Sequence, residues 1–244
     1  MSKLRSYLIT APLIFLATAL YGLVGLIVSF FDNTGDRQML VARAWSRALL
    51  WISRVKVDIE GRENISPDGS YVLVSNHLSY MDTPVILANV PVQFRFLAKS
   101  GLFRIPLLGT HLDRAGHIPV PLEDPRAAVR VMTKAAQVIK ERGISLLIFP
   151  EGGRAPDGVL QPFKEGAAYI AIKAGAPLIP VTLIGTYEVL PFGSAVMRGG
   201  TVILRIGAPV PTAACKLQDR DRLTEALHQT IAESLKLTPE PAPR

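Results

Sequence analysis

From Ser6 to Phe31 this 244-residue chain runs for 26 residues without a single charge. As a helix, that run would be about 39 Å long at roughly 1.5 Å per residue, enough to cross a hydrocarbon core about 30 Å thick. It contains Leu13-Ile-Phe-Leu16 and Leu23-Val-Gly-Leu-Ile-Val28, and it accounts for the positive mean hydropathy of +0.29. A cleaved signal peptide has a shorter apolar region, and no clear small-x-small cleavage site precedes Asp32, so the run reads as membrane attachment.

A second segment, residues 37–56, reads as a helix after the polar hinge Asp32-Asn-Thr-Gly-Asp36. At 3.6 residues per turn, Arg43, Arg47 and Arg54 fall within about 40° of one another. Val41, Trp45, Leu49 and Ile52 take the other side. The pattern fits a basic helix lying on a bilayer, and it equally fits a helix docked by its apolar stripe. A simple span with Lys3 and Arg5 inside would carry the rest of the chain across the membrane. A cytosolic supply of substrates favours instead a two-helix hairpin that dips into one leaflet. The expected localisation is therefore membrane-associated, with the active site facing the cytoplasm.

The net charge is +7. That suits an anionic membrane surface, an acidic carrier protein or a phosphate-bearing substrate. Nucleic acid is excluded as a partner because the basic residues are not interleaved with aromatics in one patch. Cys215 is the only cysteine, which excludes an intrachain disulfide and cysteine-based zinc sites.

From Val57 onward apolar runs at residues 71–75, 94–98, 117–120, 144–149, 178–184 and 201–206 read as strands. Helical stretches lie between them: from Asp124-Pro125 to Gly143, from about Pro162 to Gly175, and from Asp219 to Leu235. This alternation predicts an α/β fold with a mainly parallel sheet flanked by helices. The expected organisation is residues 1–56 as N-terminal membrane-associated helices, 57–237 as the α/β domain and 238–244 as a disordered tail.

Two connections carry chemistry. The run at 71–74 leads into Ser75-Asn-His-Leu-Ser-Tyr-Met-Asp82, a strand-to-helix loop in which Asp82 or Thr83 would cap a helix opened by Pro84. There Asp82 can fix the tautomer of His77 while the other ring nitrogen takes a proton from a substrate hydroxyl. A structural histidine is the plain alternative. The strand at 144–149 ends in Pro150-Glu-Gly-Gly-Arg-Ala155, beyond the carboxyl end of a strand, where α/β sheets bind ligands. Gly152 and Gly153 let the backbone turn close to a ligand, and Arg154 offers a forked donor to a phosphate. A solvated surface turn is the alternative here.

Walker, Rossmann and Gly-x-Ser-x-Gly fingerprints are absent. His77, Asp82, His111 and His117 lack the spacing of a metal site, so no metal is expected.

Together, Asn76-His-x-Ser-x-x-Asp82 and Phe149-Pro-Glu-Gly-x-Arg154 resemble the 1-acylglycerol-3-phosphate acyltransferase family of glycerolipid acyltransferases. Lys99 with Leu102, Pro106 and Gly109, and Ile179-Pro-Val181, look like two further motifs of that family, in the expected order. The family usually has Thr where this chain has Gly153. It often has an Asp/Arg-Arg pair where this chain has Pro121-Leu122.

The resemblance implies transfer of an acyl chain from acyl-CoA or acyl-carrier protein to a lysophospholipid hydroxyl, giving phosphatidic acid if the acceptor is 1-acylglycerol-3-phosphate. It implies His77 as general base, Asp82 as its orienting carboxylate, and Arg154 and Lys99 on the acceptor phosphate, with Glu151, Gly152 and Gly153 shaping that site. It implies no cofactor beyond the acyl donor and no acyl-enzyme. Rival readings are another lysolipid acceptor, a membrane lipase or transacylase using Ser79, and a non-enzymatic lipid-binding protein.

Overall fold

The computed structural model describes residues 3–154 and 157–237. The tail at 238–244 lies outside the described residues. The chain opens with α1 (Lys3–Ser29), which contains a π turn at Ser6–Thr10, and α2 (Asp36–Ser53). Then follow β1 (Val55–Glu60), β2 (Val72–Ser75), α3 (Asp82–Asn89), β3 (Phe94–Lys99), α4 (Leu108–Arg114), β4 (Ile118–Val120) and α5 (Pro125–Arg142). The remainder is β5 (Ser145–Ile148), α6 (Gly166–Ala174), β6 (Leu178–Ile184), α7 (Thr186–Val189), β7 (Gly200–Ile206) and α8 (Arg220–Lys236).

The seven strands form one sheet in the order β1-β7-β6-β2-β5-β3-β4. Every pairing is parallel except β6 with β7. The expected mainly parallel sheet is therefore present, and alternate residues of each strand feed two cores. Leu73, Leu147, Ile179 and Val181 join Met39 and Leu50 of α2 and Val85 and Ile86 of α3 on one face. Val72, Val74, Leu146 and Ile148 join Ala135 and Ile139 of α5, Ala168 of α6 and Leu227 of α8 on the other. A period of two along buried strands dictates this division.

Local signals explain most element ends. Asp124 accepts the N–H groups of Arg126 and Ala127 at 3.0 Å, Pro125 occupies the first turn of α5, and Gly143 ends the helix with φ 62°. Two expectations need correction. The second helix stops at Ser53 rather than at residue 56, because Arg54 turns left-handed (φ 57°) and Val55 enters the sheet beside β7. The helix expected from Pro162 begins at Gly166, because the preceding residues stay extended and brace the loop after β5: Gln161 N–H reaches Glu151 and Lys164 N–H reaches the Pro150 carbonyl.

The helix α2 is a docked helix with an exposed seam. Arg43 is half-buried, and its guanidinium donates to the Val92 carbonyl at 2.5 Å rather than facing a bilayer. Trp51, 80% exposed, and Leu40 and Arg47 lie outward instead. Asp32 caps this helix, accepting N–H groups of Thr34, Gly35, Arg37 and Gln38. Burial opposes its ionisation, but the Thr34 hydroxyl and these N–H groups draw its pKa down to about 2.

By length and composition α1 could cross a membrane, and few of its residues are buried. It is nevertheless held at both ends. Ser6 Oγ accepts the N–H of Met197 at 2.8 Å, and Ser29 takes the Arg114 guanidinium at 3.3 Å. Between them Trp45 Nε1 donates to Thr18 Oγ1 at 3.1 Å. Gly25 faces His111 so closely that a Cβ there would sit 2.8 Å from the imidazole. Phe15, Leu16, Leu20, Leu23 and Ile27 are left exposed along its outer side.

Candidate active site

The two loops singled out in the sequence meet at the carboxyl ends of β2 and β5, adjacent parallel strands. His77 is fixed from three directions. Its Nδ1 lies 2.9 Å from Asp82 Oδ2, its backbone N–H donates to Glu151 Oε1 at 2.6 Å, and its ring stacks on Phe149 with centroids 3.8 Å apart. With a proton on Nδ1 donated to Asp82, Nε2 is an acceptor with a free lone pair. The side chain is 10% exposed, so the opening to it is narrow.

Either Asp82 or Thr83 was expected to cap α3, and Asp82 does not. It sits in the first turn, but no side chain caps that helix. Its Oδ2 instead accepts the N–H groups of Leu78 and Ser79, both at 2.8 Å, as well as the His77 ring. The loop is therefore wrapped around this carboxylate. Oδ1 is buried without a hydrogen-bond partner among the described residues. Behind the loop Asn76 clamps β6, exchanging two hydrogen bonds with the Leu183 backbone at 2.8 and 2.9 Å.

Burial lowers the His77 pKa, and the hydrogen bond and charge of Asp82 raise it; the net direction is down. The imidazole is consequently neutral near pH 7, as a proton acceptor must be. Glu151 shows the opposite balance. Burial pushes its carboxyl up to about 7 against the pull of the Gln161 and His77 N–H groups.

Arg154 closes the site. Its Nε donates to the Ser79 carbonyl at 3.2 Å and its guanidinium lies 4.7 Å from the Tyr80 ring centroid. Its Nη groups have no hydrogen-bond partner among the described residues, so a forked donor remains for an anion. Gly152 is left-handed (φ 79°), and a Cβ there would meet the Lys164 ammonium at 2.7 Å. Gly153 has open space around it.

The structure brings His77, Asp82, Glu151, Gly152, Gly153 and Arg154 into one constellation. Lys99 is not in contact with it: this exposed residue ends β3 and is paired with Glu123 at 2.9 Å. Ser79 cannot serve as a nucleophile. It is 0% exposed, donates to the Leu190 carbonyl at 2.7 Å and accepts the Met81 N–H at 3.0 Å. Phe149 and Tyr80 were not read from the sequence as site residues, though both are neighbours of residues that were. Among the described residues no cluster of three or more His, Cys, Asp or Glu side chains could hold a metal.

Comparison with known proteins gives a consistent picture. A family model described as Acyltransferase matches residues 56–184. A chloroplastic 1-acyl-sn-glycerol-3-phosphate acyltransferase of Brassica napus is 36% identical over 81% of this chain and 56% of its own length. The corresponding protein of Arabidopsis thaliana is 35% identical over 81% and 54%. The chain thus spans about half the length of these two relatives. The crystal structure of a 1-acyl-sn-glycerophosphate acyltransferase from Thermotoga maritima superposes with a TM-score of 0.79 at 30% identity, covering 99% of this chain and 100% of that one.

Proposed function

This chain belongs to the 1-acylglycerol-3-phosphate acyltransferase family, and on that premise we propose that it transfers an acyl chain from a thioester donor to the free hydroxyl of 1-acylglycerol-3-phosphate. The observation that carries the reading is the free Nε2 of a neutral His77, oriented by Asp82 and flanked by the unpaired fork of Arg154.

Nε2 takes the proton of the acceptor hydroxyl as its oxygen attacks the thioester carbonyl. The tetrahedral intermediate collapses, expelling the thiolate, which recovers the proton from the imidazolium. The products are an ester and a free thiol, and no bond to the enzyme forms. Asp82 stabilises the imidazolium and holds its tautomer, as a buried carboxylate does for a catalytic histidine. Arg154 receives the acceptor phosphate, which bidentate geometry favours. No cofactor is needed, because the thioester supplies the driving force.

The N-terminal helices fit a lipid-borne acceptor. Tethered to the domain near both ends, α1 lies along its surface, so its exposed apolar side would enter one leaflet rather than carry the chain across. The domain would then stay on one side of the membrane, the cytoplasmic one where thioester donors are made. Incubating the purified protein with radiolabelled acyl-CoA or acyl-carrier protein, each with a panel of lysolipids, tests the proposal. Label should appear in phosphatidic acid and vanish with His77→Ala. No labelled diacyl product, or full turnover by that variant, would overturn it.

A further inference from the structure

The helix α5 carries a row of cations that the fold does not use. Arg126, Arg130, Lys134 and Lys140 are exposed, and none of these side chains has a hydrogen-bond or ion-pair partner among the described residues. Spacings of four set the first three in one line, where like charges repel and weaken the helix. Of the acidic residues around the helix, Glu141 follows Lys140 at its far end, and the two beside its first turn are engaged elsewhere. Glu123 holds Lys99, and Asp124 caps the helix. Val129, 45% exposed, gives the row an apolar contact beside Arg126 and Arg130.

Placement decides what this row can meet. The helix starts directly after β4, which runs parallel to β3 and, through it, to β5 and β2. Its first turn is therefore at the same end of the sheet as His77. It packs on the core shared with α6 and α8, whereas α2 and α3 cover the opposite face of the sheet and α1 lies against α2. Arg142 at the end of α5 does donate to the Thr34 carbonyl in the α1–α2 hinge at 2.9 Å. The first turns of α5 nevertheless cover the sheet face opposite to α2 and α3. A bilayer that takes the apolar side of α1 would thus leave the row at Arg126, Arg130 and Lys134 to the aqueous phase.

Resting on the acyl-transfer reading above, we infer that α5 is a docking surface for an acidic acyl-carrier protein. Its cations meet the carrier's carboxylates, and the carrier's thioester arm passes over the first turn of the helix toward His77. Charge complementarity of this kind acts through encounter and orientation.

The test compares the wild type with Arg126→Glu/Arg130→Glu/Lys134→Glu and with the matching triple Gln variant, using acyl-carrier protein and acyl-CoA as alternative donors. For the Glu variant, KM for acyl-carrier protein should rise at least about tenfold with kcat unchanged, the Gln variant falling between. Kinetics with acyl-CoA should not move, and added salt should shrink the wild-type advantage. An unchanged KM for acyl-carrier protein, or an equal rise for both donors, overturns the inference. Reduced binding to anionic vesicles would also overturn it, because the row would then serve the membrane. Titration with acyl-free carrier protein reads docking without turnover. Failure of the wild type to acylate from either donor therefore sinks the reaction but leaves the docking test standing.

Discussion

Asp82 Oδ2 lies 2.9 Å from His77 Nδ1 and, on that same oxygen, gathers the N–H groups of Leu78 and Ser79. One carboxylate therefore both orients the imidazole proposed as the base and folds the loop that carries it. The two duties separate by mutation. His77→Ala should cut kcat by 10²- to 10⁴-fold, roughly the share of a general base, with little change in thermal midpoint. Asp82→Ala should lose comparable activity and also destabilise the fold, because two buried N–H groups lose their acceptor at about 1–3 kcal/mol each. Steady-state kinetics beside thermal denaturation checks both. A His77→Ala enzyme with near wild-type turnover would remove the base assignment.

The pH profile follows from the direction of the His77 shift. Its folded pKa lies below 6.5, so the neutral base persists to lower pH than a free histidine would allow. Measured in the Glu151→Gln variant, which removes the carboxyl titrating at about 7, kcat/KM should be flat through neutrality and fall on the acid side only below pH 6.5. An acid limb centred above 6.5 would contradict the burial argument.

Glu151 gives a stability prediction of opposite sign. Its folded pKa is raised from 4.5 to about 7, so between those values the folded chain holds a proton that the unfolded chain has released. The stabilising contribution is full below pH 4.5 and is lost as pH rises through about 7. Glu151→Gln cannot titrate, and the difference in thermal midpoint between it and the wild type should change across that window. A pH-independent difference would show that the carboxyl is not perturbed. The same variant should transfer acyl groups poorly, since its amide must point one N–H at a backbone donor.

Gly152 and Gly153 look alike in the sequence and should behave differently. Gly152→Ala introduces a side chain at φ 79° and displaces the Lys164 ammonium, so it should cost about 1–3 kcal/mol and lower activity. A Cβ at Gly153 would meet nothing within 4 Å, so Gly153→Thr should leave stability within about 0.5 kcal/mol of wild type. Chemical denaturation of both variants measures this. Equal effects would mean that the loop relaxes freely.

What the sequence made legible was local. The loop from Ser75 to Asp82 and the loop after β5 were readable because each follows a buried strand and ends in residues with one dominant conformational use. Asp124, Pro125 and Gly143 marked α5 to the residue, since caps act within a single turn. The misreadings share a long-range cause. Nothing near Val55 announces that it will pair with Gly200, so β1 was missed and the helix before it ran on too far. Lys99 carries no local sign that Glu123 will hold it, and the apolar stripe of α2 gave no warning that Arg43 would reach Val92. Ser79 seemed available until Leu190, 111 positions away, took its hydroxyl.

The contact between Gly25 and His111 predicts how α1 would serve the site under the proposed membrane association. Replacing Gly25 by Leu puts a branched side chain where even a Cβ lies 2.8 Å from the imidazole. Overpacking of this kind costs about 1–3 kcal/mol and should lift α1 from α4. The outward residues Phe15, Leu16, Leu20 and Leu23 are unaffected, so vesicle binding should persist. Acyl transfer to an acceptor embedded in vesicles should fall several-fold more than transfer to a short-chain, water-soluble acceptor, because only the former depends on how the domain is seated. Vesicle sedimentation alongside paired assays reads this directly. Equal loss with both acceptors would mean that the contact stabilises the fold without positioning it at the bilayer.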